Sequence, residues 1–105
     1  MQIYFKNSKI EKLCTKRKKA IKKLGDRVGK NLHRRLTQLA AFETLDSVPV
    51  HLPFRRHKLT GELDGYFAIN IDKQYRLIIT NLNGEVMDLT TITIVQIVGV
   101  SKHYE

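Results

Sequence analysis

The chain has 105 residues, 42% of them apolar, and one cysteine. That is enough for a single domain over residues 1–105 with one modest core, and too little for a second. Nineteen Lys and Arg against ten Asp and Glu give a net charge of +9, which favours anionic partners. Cys14 alone excludes an internal disulfide and a cysteine-rich metal site, and no apolar run is long enough for a leader or a membrane span, so a cytoplasmic protein is expected.

In chain order, "QIYF" (residues 2–5) is short, aromatic and β-branched and reads as a first strand. Asn7 or Ser8 then caps a helix; Ser8 with Glu11 has the capping-box spacing. Ile10, Leu13, Cys14, Ile21 and Leu24 recur at helical spacing as far as Gly25, with Arg17 interrupting the stripe, so Cys14 is expected to be a buried small hydrophobe. Asp26 caps a second helix through Phe42, with Val28, Leu32, Leu36, Leu39 and Ala40 as its apolar face and Gly29 in its first turn. "ETLDSVPVHLP" holds both prolines, Pro49 and Pro53, and reads as a connector with one helical turn over residues 43–48.

Strands follow. "RRHKL" suits an edge strand. "GYFAINI" alternates Tyr66, Ala68 and Asn70 against Phe67, Ile69 and Ile71; a turn at Asp72–Gln74 leads to "YRLIIT". Asn83-Gly84 is the best hairpin signal, with "EVMDL" and "ITIVQIVGV" as the last strands. The fold class expected is α+β: an N-terminal strand, two antiparallel helices, then a mostly antiparallel meander. The helices should cover one side of the sheet and leave the other open to a partner.

The charge is uneven. Residues 1–35 hold thirteen basic and two acidic residues, a net of +11, and residues 36–105 carry a net of −2. The run Lys16, Arg17, Lys18, Lys19, with Lys22 and Lys23, is either a solvated helical face or a polyanion contact that positions phosphates. No Walker A, dinucleotide-binding, His-Glu-x-x-His or Cys-x-x-Cys pattern occurs, and His33, His51, His57 and His103 have no metal-ligand spacing, so neither cofactor nor metal is expected.

Acid–base chemistry on RNA needs no such group. The 2′-hydroxyl beside each phosphodiester is a built-in nucleophile. It needs a proton acceptor, donors for the developing phosphorane charge, and an acid for the leaving 5′-oxygen. The strand-rich half supplies Arg55, Arg56, His57, Lys58, Arg76, Lys102, His103 and Tyr104. Alternation puts Arg56 and Lys58 on one face with Phe54, and Arg55, His57 and Leu59 on the other, so Arg56 and His57 cannot share a groove in a regular strand. Arg76, second in a central-looking strand, is either functional or one half of a rim salt bridge.

The stretch "RRHKLTGELDGYFAINIDKQYRLIIT" resembles the HigB family of type II toxin–antitoxin toxins within the RelE/ParE superfamily. The matches are His57, Leu59, Gly61, Gly65, Tyr66, Tyr75 and Arg76, and the element order fits over nearly the whole chain. The resemblance implies a ribosome-dependent, metal-independent messenger RNA endoribonuclease that inhibits translation. It implies Arg56 or His57 at the scissile phosphate, Arg76 stabilising its charge, and His103 or Tyr104 brought in by the tail. Lys16, Arg17, Lys18, Lys19, Lys22 and Lys23, with Arg55, Lys58 and Lys102, would meet RNA and the ribosome. The partner implied is a helix-turn-helix antitoxin of the HigA type, through which operator DNA is bound indirectly; no membrane is involved. The tail "GVSKHYE" departs from the family's Asp-Tyr-His-like ending. The alternatives are a ParE-like inhibitor of DNA gyrase without nuclease activity, and a non-catalytic RNA- or ribosome-binding module.

Overall fold

The computed structural model describes residues 1–102. Five strands, β1 (Gln2–Phe5), β2 (His57–Lys58), β3 (Phe67–Asn70), β4 (Tyr75–Asn81) and β5 (Ile94–Lys102), form one sheet in the order β1-β5-β4-β3-β2. β1 runs parallel to β5, and every other pairing is antiparallel. Three helices, α1 (Ser8–Thr15), α2 (Arg17–Leu24) and α3 (Asp26–Ala41), cover one side. The α+β class and the helix-covered sheet are as the sequence predicts. No helix among the described residues is long and apolar enough to cross a membrane.

The core lies between α3 and the sheet. Phe67, Ile69 and Ile71, then Leu77 and Ile79, then Val95 and Ile97 face Val28, Leu32 and Leu39 of α3. Alternation in β3 and β4 therefore holds, with Tyr75, Leu77 and Ile79 turned to the helices. The α3 stripe differs at two positions: Arg35 is buried and Ala40 is exposed. Positions 28, 32, 35 and 39 continue the i, i+4, i+7, i+11 stripe, and position 35 carries an arginine.

The first predicted helix is two helices. Lys16 is extended (φ −110°, ψ 101°); it ends α1 and begins α2 with no side-chain cap. Six helical steps of about 100° would put Cys14 and Ala20 on different sides of one straight helix. The break turns both inward, to 5% and 0% exposure. Asn7 rather than Ser8 caps α1, its Oδ1 accepting from the Ile10 amide at 2.9 Å. Burial pushes the Cys14 thiol up to about 12, so it remains protonated and behaves as the small hydrophobe expected.

Gly29 permits the crossing of α2 and α3. A Cβ there would stand 2.7 Å from the Ile21 amide nitrogen and 2.9 Å from the Ala20 carbonyl carbon. Both are backbone atoms, so no rotamer change relieves the contact. Gly29→Ala is expected to destabilise the fold by roughly 1–3 kcal/mol despite alanine's better helix propensity, read as a lower midpoint in thermal melting.

"EVMDL" is not a strand. Gly84 adopts φ +73°, and Glu85 and Asp88 form only an isolated bridge. Asn83 Oδ1 accepts from the Thr93 and Ile94 amides at 3.0 and 2.9 Å, closing the loop onto the start of β5. Asp88 caps a 3₁₀ turn over Leu89–Thr91. Side-chain acceptors thus take donors that a hairpin ladder would have used. "RRHKL" is also shorter than a strand of five: only His57 and Lys58 pair, and Arg55 has φ 46°.

Candidate active site

The sheet side away from the helices carries a second, smaller buried cluster. Its register is set by the turn between β3 and β4, where Asp72 Oδ1 accepts from the Gln74 and Tyr75 amides at 2.8 Å each. Asn70 thereby pairs with Arg76, and Arg76 with Ser101; one row along, His57 pairs with Ala68, Ala68 with Ile78 and Ile78 with Gly99. Leu59, Ala68 and Ile78, with Tyr66 and Val98 packed on them, form a shallow apolar floor. β4 and β5 shift register between Ile78 and Ile79, a bulge that places small Gly99 opposite Ile78. An added Cβ at Gly99 would meet no atom of the described residues within 4 Å.

Arg76 is half-buried on this face, and its Nε is buried with no hydrogen-bond partner among the described residues. The ion pairs among the described residues are Arg27–Asp72 and Lys30–Asp26, so no carboxylate there pairs with Arg76 and the rim salt bridge is not formed. Beside it Asn70 is 6% exposed, and its Oδ1 likewise has no partner among the described residues. A buried donor and a buried acceptor left unsatisfied on neighbouring strands are uncommon in a native fold, and water or a bound ligand is their usual partner. Asn70 was not singled out in the sequence. The signal for it is the turn: centring it on Lys73 aligns residue 70 with residue 76.

His57 shares this face. Its Nδ1 lies 2.9 Å from the Arg55 carbonyl oxygen. A carbonyl only accepts, so Nδ1 carries the proton and Nε2 presents a lone pair in the neutral ring. Two strand spacings of about 4.8 Å and one two-residue step of about 6.8 Å put the Cα atoms of His57 and Arg76 about 12 Å apart.

The other expected residues divide. Arg56 Nε donates to the Val48 carbonyl at 2.8 Å and its amide to Pro49 at 3.1 Å, so Arg56 ties the connector to the strand. Lys58, in register with Phe67, points away from the Arg76 face and is exposed at the sheet edge. Lys102 pairs with Tyr75, its Nζ 6.0 Å from that ring's centroid, and also lies on the side away from Arg76. Arg55 is exposed. His103 and Tyr104 lie outside the described residues. Lys16, Arg17 and Lys18 are exposed at the α1–α2 junction, while Lys19, Lys22 and Lys23 line a cleft between these helices. The helical basic residues are thus on the other side of the sheet from Arg76. Among the described residues no three His, Cys, Asp or Glu side chains cluster as metal ligands would.

An N-terminal strand, a helical layer and a mostly antiparallel sheet are the architecture of the RelE/ParE-type toxins. Solved structures of that kind superpose over nearly the whole chain. The YoeB–YefM complex from Staphylococcus aureus matches with a TM-score of 0.58 at 17% identity, over 99% of this chain and 98% of the other. YafQ from E. coli strain BL21(DE3) gives 0.58 at 18% identity, covering 97% and 92%. A YoeB/ParE toxin from Agrobacterium tumefaciens gives 0.58 at 13% identity, covering 99% and 100%. At such identities the likeness establishes the fold alone. A sequence comparison with curated proteins gives no match. Residues 4–91 match the model of the HigB-like toxins, described as RelE-like toxins of type II toxin–antitoxin systems. The chain therefore belongs to the HigB-like toxin family, and membership implies a cognate antitoxin as partner.

Proposed function

We propose that the protein is a metal-independent endoribonuclease that cuts messenger RNA on the ribosome and so inhibits translation. The observation that carries this reading is the pair of polar groups left unsatisfied among the described residues, Arg76 Nε and Asn70 Oδ1, on the sheet face that also bears His57. His57 Nε2 takes the proton of the 2′-hydroxyl, whose oxygen attacks phosphorus. Arg76 holds the equatorial oxygens as charge builds on them. The 5′-oxygen leaves with a proton from the tail, for which His103 and Tyr104 are the candidates, and a 2′,3′-cyclic phosphate remains on the upstream fragment. Arg56 has a positioning role in this scheme: its bond to Val48 fixes the segment that carries His57. Lys16, Arg17 and Lys18 make phosphate contacts with ribosomal RNA, and Arg55 and Lys58 guide the messenger at the sheet edge.

Induction in bacteria with transcript-end mapping and a parallel gyrase assay tests the reading. New 5′-hydroxyl ends in translated transcripts are expected. DNA breaks with intact transcripts would identify gyrase as the target and overturn it. A narrower test uses the apolar floor. Gly99→Val has room at Cβ and a side chain favoured in strands, so it should fold normally. It should nonetheless lower cleavage by roughly tenfold or more by displacing the bound backbone from the Arg76 row.

A further inference from the structure

The break at Lys16 opens a cleft of about 450 Å³ between α1 and α2, lined by Lys9, Lys12, Leu13, Lys19, Lys22 and Lys23. Lys9, Lys12 and Leu13 follow i, i+3, i+4 along one face of α1; Lys19, Lys22 and Lys23 do so on α2. Helical periodicity thus aims five ammonium groups from two helices at one concavity, and no carboxylate lines it. The free protein gains nothing from this arrangement, since each pair of like charges repels. The cleft lies on the helical side of the sheet and uses none of the groups assigned to RNA cleavage. It makes sense as half of an interface whose other half is acidic.

We infer that this cleft docks an acidic polypeptide segment carrying one large aliphatic side chain, supplied by the partner that neutralises the toxin. The lining favours a polypeptide over RNA on three grounds. It contains no arginine, the side chain suited to bidentate phosphate recognition. It contains no aromatic ring on which a base could stack. Leu13 and the lysine methylenes give the cleft an apolar interior that an aliphatic anchor fills while carboxylates meet the ammonium rim. The assignment rests on the family reading only for the existence of a protein partner; a failure of the proposed nuclease chemistry would leave it standing.

The test is fluorescence anisotropy of the full chain with three labelled probes: a 14-residue peptide with six glutamates and one central leucine, the same peptide with serine in place of the leucine, and a 14-nucleotide single-stranded RNA. Two variants carry the same charge change. Lys9→Glu/Lys12→Glu lies in the cleft, and Lys16→Glu/Lys18→Glu outside it. The cleft variant should lose at least about tenfold in affinity for the leucine peptide, and the outside variant less than about threefold. Removing the leucine should weaken binding about tenfold, as loss of a buried aliphatic group does. Thermal melting provides the folding control: relief of repulsion should hold or raise the midpoint of Lys9→Glu/Lys12→Glu. Equal weakening by the two variants, indifference to the leucine, or RNA binding that is tighter than the peptide's and is lost on Lys9→Glu/Lys12→Glu would each overturn the assignment.

Discussion

Arg76→Ala is expected to lower transcript cleavage by roughly 10²–10³-fold, the usual cost of removing one preorganised donor from a developing oxyanion, while leaving the thermal midpoint nearly unchanged. The separation of the two effects follows from its surroundings. Among the described residues Arg76 has no carboxylate partner and its Nε makes no hydrogen bond. Truncation therefore breaks no ion pair, and it removes a buried donor that the free protein leaves unsatisfied. Arg76→Lys keeps the charge and loses the planar fork, so its rate should fall between the two, with the loss in turnover more than in binding. Primer-extension mapping of cleaved ends and circular dichroism melting read the two quantities. A cleavage rate unchanged in Arg76→Ala would remove this face from the mechanism.

Local patterns and long-range pairings were unequally legible in the sequence. The strand alternation at 66–71 and 75–80, most of the α3 stripe and the Asp72 turn depend on neighbours within a few residues, and these stand in the structure, with Arg35 and Ala40 as the exceptions on α3. The parallel pairing of β1 with β5 joins residues more than ninety positions apart, Gln2 with Ile94, and no local period encodes it. At Lys16 the periodicity was readable but ambiguous, because lysines and Arg17 occupy the positions that would have shown the stripe changing sides. The loop after Gly84 was misread because Asn83 and Asp88 bond to backbone amides through their side chains, which a hydrophobic pattern does not register. Of the candidate site, the residue types were legible and their partition was not. Whether Arg56 or His57 faces Arg76 depends on the positive φ at Arg55 and on the Val48 carbonyl that captures Arg56.

The second large effect is expected in the core, at the arginine that the apolar stripe concealed. Arg35 is 7% exposed, with its guanidinium 4.9 Å from the centroid of the Phe54 ring. It donates to Gln38 Oε1 at 2.9 Å and to the Ile71 carbonyl at 3.3 Å, and its Nε has no partner. Burial, with a smaller contribution from the Arg34 charge, lowers its pKa below the ordinary guanidinium value, yet a guanidinium stays protonated near neutrality. The fold therefore carries an arginine whose charge is costly and whose methylenes and planar face pack well. Two substitutions separate these contributions. Arg35→Ala removes packing, the contact with Phe54 and the bond to Ile71 together, and should cost about 2–4 kcal/mol. For a domain of this size that lowers the melting midpoint by roughly 10–25 °C. Arg35→Met retains an unbranched chain of similar reach and removes the buried charge, so it should stay within about 1.5 kcal/mol of the parent. Denaturant unfolding decides between them; a methionine variant as unstable as alanine would mean that the charge itself holds the site together. The effect should also reach the sheet face that bears Arg76. The Phe54 carbonyl accepts from the Asn70 amide at 2.7 Å, and Arg55, Arg56 and His57 follow directly. Loosening Phe54 in Arg35→Ala should therefore displace His57 from Arg76 and lower cleavage well below the variant's midpoint, whereas Arg35→Met, with the ring still supported, should cut at close to the parent rate.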